Sequence, residues 1–247
     1  MASTTETGHA KNVAHFDELI SSVLGYGNAF NPSKASIKVD ALHSVSANSK
    51  NAIGVVSSLF PAYSNAVAAR EAAFGPLSKY VTRALNALKA TDTTVQVDES
   101  ARTFARKIQG RRATPKKTEA EKKAKQEAGT EVTEISSSQM SYDSRLENFD
   151  KFIKLLTSVP EYTPNEEDLK IPALTAKYNE LKAKNSAVIA AATPLSNARI
   201  LRNDVLYKAN TGLVDIALDT KTYIKSVFGA GSPQYKQVSK LEFITLN

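Results

Sequence analysis

The stretch HFDELISSVLGYG at residues 15–27 shows how the chain is built. Its apolar residues recur three and four positions apart, which is the spacing of one face of an amphipathic helix. Gly25 and Gly27 follow where such a helix is expected to end. The stretch therefore predicts an α-helix that buries one face, formed by Val13, Phe16, Leu19, Ile20, Val23 and Leu24.

A related stretch, NFDKFIKLLTSVP, lies at residues 148–160. Two further blocks align in the same order. FNPSKASIKVDAL at 30–42 matches YTPNEEDLKIPAL at 162–174, and SNAVAAREAAF at 64–74 matches SNARILRNDVL at 196–206. The offset is 133 residues in the first block and 132 in the other two. The sequence therefore predicts a tandem duplication, with a period far above the 20–50 residues typical of solenoid repeats.

The fold class predicted for both halves is all-α. Each half is expected to form an antiparallel bundle of about four helices, with long second and third helices. In the first half, the second helix is expected to end before Pro61, because a proline disfavours helix in the residue before it. The third helices are expected to run from Pro61 to Leu88 and from Pro194 to Phe228. In the second half, Ser232 and Pro233 predict the N-cap and first turn of a short last helix.

The predicted boundaries follow the order of the sequence. A flexible tail at 1–11 precedes the first bundle at 12–110, a basic and polar linker occupies 111–139, and the second bundle occupies 140–247. Strand-like patterns are confined to VTEI at 132–135 and LEFITL at 241–246.

Positive charge is concentrated between the two halves. Residues 102–125 hold ten basic and two acidic residues, so their net charge is +8. The whole chain has a net charge of +7, so the residues outside this segment sum to −1. Flexible lysines and arginines can neutralise phosphates whatever the base sequence. The candidate phosphate contacts are Arg102, Arg106, Lys107, Arg111, Arg112, Lys116, Lys117, Lys122, Lys123 and Lys125.

Within this segment, TPKK at 114–117 resembles the Ser/Thr-Pro-Lys-Lys repeats in the tails of linker histones, which lie along the DNA minor groove. The resemblance covers four residues and occurs once. A solvated linker, kept extended by repulsion between its own charges, is the interpretation that we favour over nucleic-acid contact.

Two polar residues recur in both halves at matching positions. Asp17 and Asp150 lie on the first predicted helix of each half, and Arg70 and Arg202 lie on the third. A duplicated acid and a duplicated base suggest one ion pair between helices in each bundle, which would fix register more than it adds stability. We therefore predict the pairs Asp17–Arg70 and Asp150–Arg202.

The sequence offers little for catalysis. There is no cysteine, and none of the three histidines has the H-x-x-x-H spacing. The Glu-x-x-His spacing occurs once, at Glu6 and His9, whereas a bundle metal site needs it on two helices. No glycine-rich phosphate loop or G-x-S-x-G motif is present. The acidic triplet at 166–168 precedes a predicted helix, where negative charge is favourable. We predict a protein that is not an enzyme, with no metal, no cofactor and no small-molecule substrate.

The remaining expectations concern location and partners. The start of the chain does not resemble a secretory signal, and no run of 18 uninterrupted apolar residues predicts a membrane span, so the cytoplasm is expected. The predicted function is a non-catalytic helical scaffold or assembly module that binds a protein partner or itself. The alternative is a nucleic-acid-associated protein that contacts phosphates through residues 102–125.

Overall fold

The computed structural model describes residues 4–111 and 141–245. These residues form α-helices joined by short loops and three 3-10 turns, with no strand, so the predicted all-α class is confirmed. VTEI lies outside the described residues, and 241–245 of LEFITL is irregular. The helices are α1 (Thr4–Gly25), α2 (Val39–Phe74), α3 (Leu77–Lys89), α4 (Val95–Gln109), α5 (Tyr142–Thr157), α6 (Ile171–Tyr207), α7 (Leu213–Phe228) and α8 (Pro233–Ser239).

The second helix of each half is long, whereas the third is short. α2 has 36 residues and continues through Pro61, and α6 has 37 and continues through Pro194. The prediction that helices change at these prolines is therefore wrong. A proline inside a helix costs about 3 kcal/mol, because it removes one hydrogen bond and clashes with the preceding turn. Both prolines are exposed, and the packed helix on either side offsets that cost.

The actual breaks lie ten or more residues further along the chain. α2 ends at Phe74, and Pro76 precedes α3, so the chain breaks within the stretch from Pro61 to Leu88 that was expected to form one helix. α6 ends at Tyr207, and residues 208–212 turn the chain into α7. In that turn Asn210 has a φ of 65°, and its backbone N–H donates to the Asp215 carboxylate at 2.7 Å.

Helix ends elsewhere follow the sequence closely. Ser232 caps α8, its hydroxyl accepting from the Tyr235 N–H at 3.1 Å, as predicted. α1, however, begins at Thr4 and so includes much of the predicted tail. His9, only 2% exposed, and Asn12, 0% exposed, anchor this part of α1 through polar side chains, which an apolar pattern does not register.

The chain forms two compact units, of which the first is made of two separate stretches and the second of one. Unit 1 is Met1–Tyr63 with Ala191–Asn247, and unit 2 is Ser64–Ala190. These differ from the predicted bundles at 12–110 and 140–247. The reason is the continuity of the long helices: α2 supplies its first part to unit 1 and its last part to unit 2, and α6 does the reverse.

In unit 1 the core is formed by α1, the start of α2, the end of α6, α7 and α8. Phe16 and Leu19 of α1 are fully buried, as are Leu213 and Ile224 of α7. The remaining core residues are Val13, Ile20, Val23, Phe30, Ile37, Leu42, Leu206, Val214, Ile216, Ala217 and Val238. The apolar face predicted for residues 13–23 is therefore the face that packs, while Leu24 remains 52% exposed.

In unit 2 the core is formed by the end of α2, α3, α4, α5 and the start of α6. Phe149 and Phe152 of α5 are fully buried and pack among Phe74, Leu88 and Ile108. Truncating a buried phenylalanine to alanine typically costs about 3–5 kcal/mol. These two aromatic side chains are therefore central to the stability of this unit.

Each unit also ties a 3-10 turn to a helix through an ion pair. In unit 1, Lys34 pairs with Asp219 of α7. In unit 2, Arg83 of α3 pairs with Asp168, its second nitrogen lying 3.1 Å from the other carboxylate oxygen. All four side chains are at least one-third exposed, so solvent screening keeps the contribution of each pair to stability small.

Candidate interaction surfaces

A groove lies between α2 and α6 within unit 1. Its volume is about 510 Å³, and it runs from Val45 to Val55 on α2. Two of its large apolar side chains face solvent: Val55 is 42% exposed and Leu201 is 63% exposed. The other lining residues are Val45, Asn48, Asn51, Ala52, Ala198, Asp204, Val205, Lys208 and Thr211.

The floor of this region is a small cluster of buried side chains. Val56 packs against Leu195 and Ala198, with Leu59 and Tyr63 partly buried beside them. Because α2 and α6 pack against each other through this small cluster, neighbouring positions on the two helices, such as Val55 and Leu201, remain exposed to solvent. Residues 51–63 and 191–198 contain no charged side chain, so the open positions are neutral.

The charged residues of the groove lie at one of its ends. Asp204 and Lys208 lie one helical turn apart and are both exposed. Neither forms an ion pair within residues 4–111 and 141–245. The groove therefore combines an apolar centre with one unpaired charge of each sign.

A second surface of unit 1 holds an extended segment, residues 240–245, which we call the strap. Asn12 of α1 is 0% exposed and bonds the strap twice: its amide N–H₂ donates to the Ile244 carbonyl and its oxygen accepts from the Ile244 N–H, both at 2.8 Å. A side-chain amide used in this way imitates one rung of a β-ladder. His15 Nδ1 donates to the Glu242 carbonyl at 2.7 Å.

Lys221 of α7 holds the strap from the other side. Its ammonium donates to the carbonyls of Ser239 at 3.3 Å and Leu241 at 3.0 Å and lies 5.9 Å from the centre of the Phe243 ring. Burial lowers the pKa of Lys221, and the Glu242 carboxylate opposes that shift. Leu241 and Phe243 are partly buried against the core of unit 1, while Ile244 is 48% exposed.

In unit 2, α5 aligns with α1 of unit 1, and it is covered by the helix α4 instead of an extended segment. α4, with 15 residues, packs on α5 through Ala101, Ala105 and Ile108. Arg145, which aligns with Asn12 at the offset of 133, donates to the Ile108 carbonyl at 3.1 Å and to the Phe74 carbonyl at 3.3 Å. Burial lowers the pKa of the Arg145 guanidinium. The covering element is thus bonded by its backbone in both units.

The predicted phosphate contacts are only partly covered by the structure. Arg102 pairs with Glu99 at 2.5 Å, and Arg106 donates to the Thr103 hydroxyl at 3.2 Å. Lys107 and Arg111 are exposed. The remaining residues, Arg112, Lys116, Lys117, Lys122, Lys123 and Lys125, lie outside the described residues.

The four residues predicted to form ion pairs have other partners. Asp17 pairs with Lys50 at 2.8 Å and accepts from the Ser46 hydroxyl at 2.6 Å. Asp150 pairs with Lys154 at 2.7 Å. Each acid thus bonds a residue one turn away on its own helix or on a neighbouring helix of its own unit.

The two arginines bond side-chain amides. Arg70 lies 3.9 Å from the centre of the Tyr142 ring and donates to Asn185 at 3.1 Å, and Arg202 donates to Asn203 at 2.9 Å. Asp17 belongs to unit 1 and Arg70 to unit 2, and the reverse holds for Asp150 and Arg202. Each predicted pair thus combines a residue of one unit with a residue of the other, and both pairs stay predictions.

Two further properties bear on function. Taken as one segment, Val39–Lys89 is long and apolar enough to cross a membrane by length and composition alone, and little of its most apolar part is buried. Among the described residues, no three His, Asp or Glu side chains are grouped so as to hold a metal ion.

No protein-family model, curated protein or solved structure matches the sequence.

Proposed function

We propose that the protein is a non-catalytic helical assembly module that binds a second copy of itself through the groove of unit 1. The observation that carries this proposal is the exposure of Val55 and Leu201 in a groove that has Asp204 and Lys208 at one end and no other charged residue in its lining. Contiguous exposed apolar surface is a feature of protein interaction sites.

The apolar part of the groove supplies a modest driving force. Fully burying a valine or leucine is worth about 1.5–3 kcal/mol, and roughly half of that remains available at Val55 and Leu201. The four side chains of two copies thus supply at most about 6 kcal/mol. Association itself costs at least about 4 kcal/mol. Two exposed ion pairs add at most about 1 kcal/mol each, so we expect a weak dimer with a dissociation constant on the order of 1 mM.

The charges at the end of the groove suit a second copy. In a two-fold symmetric interface, if residue i contacts residue j, then j contacts i. Asp204 of one copy can thus face Lys208 of the other, and the reverse pair forms at the same time. Asp204 and Lys208 carry opposite charges, so the groove itself brings no net charge to the contact.

We further propose that the two halves are a tandem duplication whose copies have diverged at this site. At the offset of 132, Val45, Asn48 and Ala52 align with Lys177, Glu180 and Lys184. Lys177 and Glu180 form an ion pair at 2.9 Å, which keeps that face of α6 polar. The absence of these charges from the aligned positions of α2 supports a binding role for unit 1.

Leu201 and Ile200 provide a matched test. The two residues are adjacent on α6 and 63% and 59% exposed, but only Leu201 lines the groove. By sedimentation velocity at concentrations up to about 500 µM, we expect Leu201→Glu to weaken the dimer at least tenfold, because each copy would bring an unpaired carboxylate into an apolar contact. Ile200→Glu should change the dissociation constant by less than about twofold. A wild-type protein that is monomeric throughout, or equal effects of the two substitutions, would refute the proposal.

The concentration of ten basic residues within 102–125 favours one alternative, contact with nucleic-acid phosphates. Deleting residues 112–125 should then abolish retardation of DNA or RNA in a gel at 50 mM salt. Retardation should also fall steeply as salt is raised, because binding releases counterions. An absence of retardation by the full chain at low salt would end this alternative.

A further inference from the structure

We propose that the strap site of unit 1, formed by α1 and α7, is a binding site for an extended segment of another protein chain, with the strap as its occupant in the isolated molecule. The ligand class is a peptide with an apolar residue two positions before an aromatic one, as in Leu241-Glu242-Phe243. The site is separate from the groove between α2 and α6.

The chemistry of the site is that of peptide recognition. Asn12 bonds both backbone groups of one residue, and His15 and Lys221 bond carbonyls of residues 239, 241 and 242. All these bonds reach the backbone, so they accept any extended segment in the same register. Specificity comes from Leu241 and Phe243, which are partly buried against the core. Backbone bonds for affinity and alternating side chains for specificity are the features of strand-like peptide recognition.

The strap is a less secure cover than its counterpart in unit 2. There, α4 buries Ala101, Ala105 and Ile108 to 2% exposure or less. In the strap, no side chain from 240 to 245 is fully buried, and the segment has no helical hydrogen bonds of its own. Elements with few buried contacts open at the lowest free-energy cost.

Opening the strap breaks hydrogen bonds and apolar contacts that another extended segment could form in its place. The Asn12 side chain, which also donates to the Tyr207 hydroxyl at 3.4 Å, loses both of its bonds to Ile244 when the strap opens. A competing peptide can form both bonds again. Water alone leaves exposed the apolar surface of unit 1 that Leu241 and Phe243 had covered. The strap is covalently attached, so its effective concentration is in the millimolar range and it competes strongly with free peptide.

The test uses the full chain and a fluorescent peptide of residues 240–245, KLEFIT. In fluorescence anisotropy we expect the Leu241→Ala/Phe243→Ala variant to bind the peptide at least ~10-fold more tightly than wild type, because its own strap is weakened. A control peptide with alanine in place of the phenylalanine should bind at least ~10-fold more weakly than KLEFIT.

Two substitutions in the strap-weakened background locate the binding. His15→Ala removes one backbone bond and should weaken binding by ~3–10-fold, and Asn12→Ala removes two and should weaken it further. Circular dichroism identifies any variant that fails to fold, and His15→Ala keeps the test informative if Asn12→Ala is one. The proposal is overturned if weakening the strap leaves peptide affinity unchanged, or if His15→Ala binds as tightly as its parent.

Discussion

Replacing Tyr162 with phenylalanine should change how the stability of unit 2 depends on pH. Tyr162 is 6% exposed, and its hydroxyl donates to the Leu169 carbonyl at 2.8 Å, closing the loop before α6. Burial, followed by the negative charge of Tyr80, Glu166 and Asp168, raises the pKa of Tyr162 from 10.0 to about 12. The aligned residue in the first half is Phe30, which is also buried, so a phenylalanine fits such a loop.

The direction of the effect follows from linkage. Because the pKa in the folded protein lies above that in the unfolded chain, the folded state favours the neutral phenol. That contribution is complete below pH 10 and is lost as the pH rises towards 12. One pKa unit corresponds to about 1.4 kcal/mol, so at pH 11 the wild type should have lost about that much relative to pH 8 through this residue.

The variant lacks this titration but also lacks one hydrogen bond. At pH 8, Tyr162→Phe should therefore be less stable than wild type by about 0.5–1.5 kcal/mol. At pH 11 the free energies of unfolding of the two proteins should be equal within about 1 kcal/mol, since only the wild type loses stability through the ionisation of Tyr162. Urea unfolding of both proteins at each pH measures the difference and cancels the titration of all other groups. A difference that stays constant from pH 8 to pH 11 would refute this reasoning.

Two other predictions concern single turns and the assembly of the units. Gly212→Ala should cost about 1–3 kcal/mol in thermal or urea unfolding, because a Cβ at this position would lie 2.6 Å from the Lys208 backbone nitrogen. Gly54→Ala is the matched control and should stabilise by about 0.5–1 kcal/mol, since the site lies inside α2 with nothing within 4 Å. When residues 1–111 and 141–247 are co-expressed as separate chains, they should co-purify as a 1:1 complex. Two independently folded chains that fail to associate would contradict the division of the units.

The helices that the sequence predicts best are those with a buried stripe bounded by glycine or a capping residue. α1 and α5 have four or more core residues at helical spacing, so their existence and buried faces follow from the pattern alone. The long helices were predicted less well. The local preference of Pro61 and Pro194 for a helix start is outweighed by packing on both sides, which is information that a local pattern does not contain.

The candidate sites were hardly visible in the sequence. Val55 and Leu201 are separated by 146 positions, and nothing local indicates that they line one groove. Asn12 is a single amide on a helix that otherwise follows an apolar pattern, and its partner lies 232 residues away. One usable signal existed: the aligned halves differ at Val45, Asn48 and Ala52, where the second half has charged residues.

The composition of the units links the duplication to the proposed assembly. Phe16 and Leu19 come from the first half of the chain, yet they pack with Leu213 and Ile224 from the second. The groove likewise needs α2 from the first half and α6 from the second. A single ancestral half could bury the same faces only by associating with another copy, in the manner of a domain-swapped dimer. If the halves arose by the duplication that we propose, that event converted an association between chains into one within a chain. The differences at positions 45, 48 and 52 would then leave only one of two equivalent faces available for a new contact.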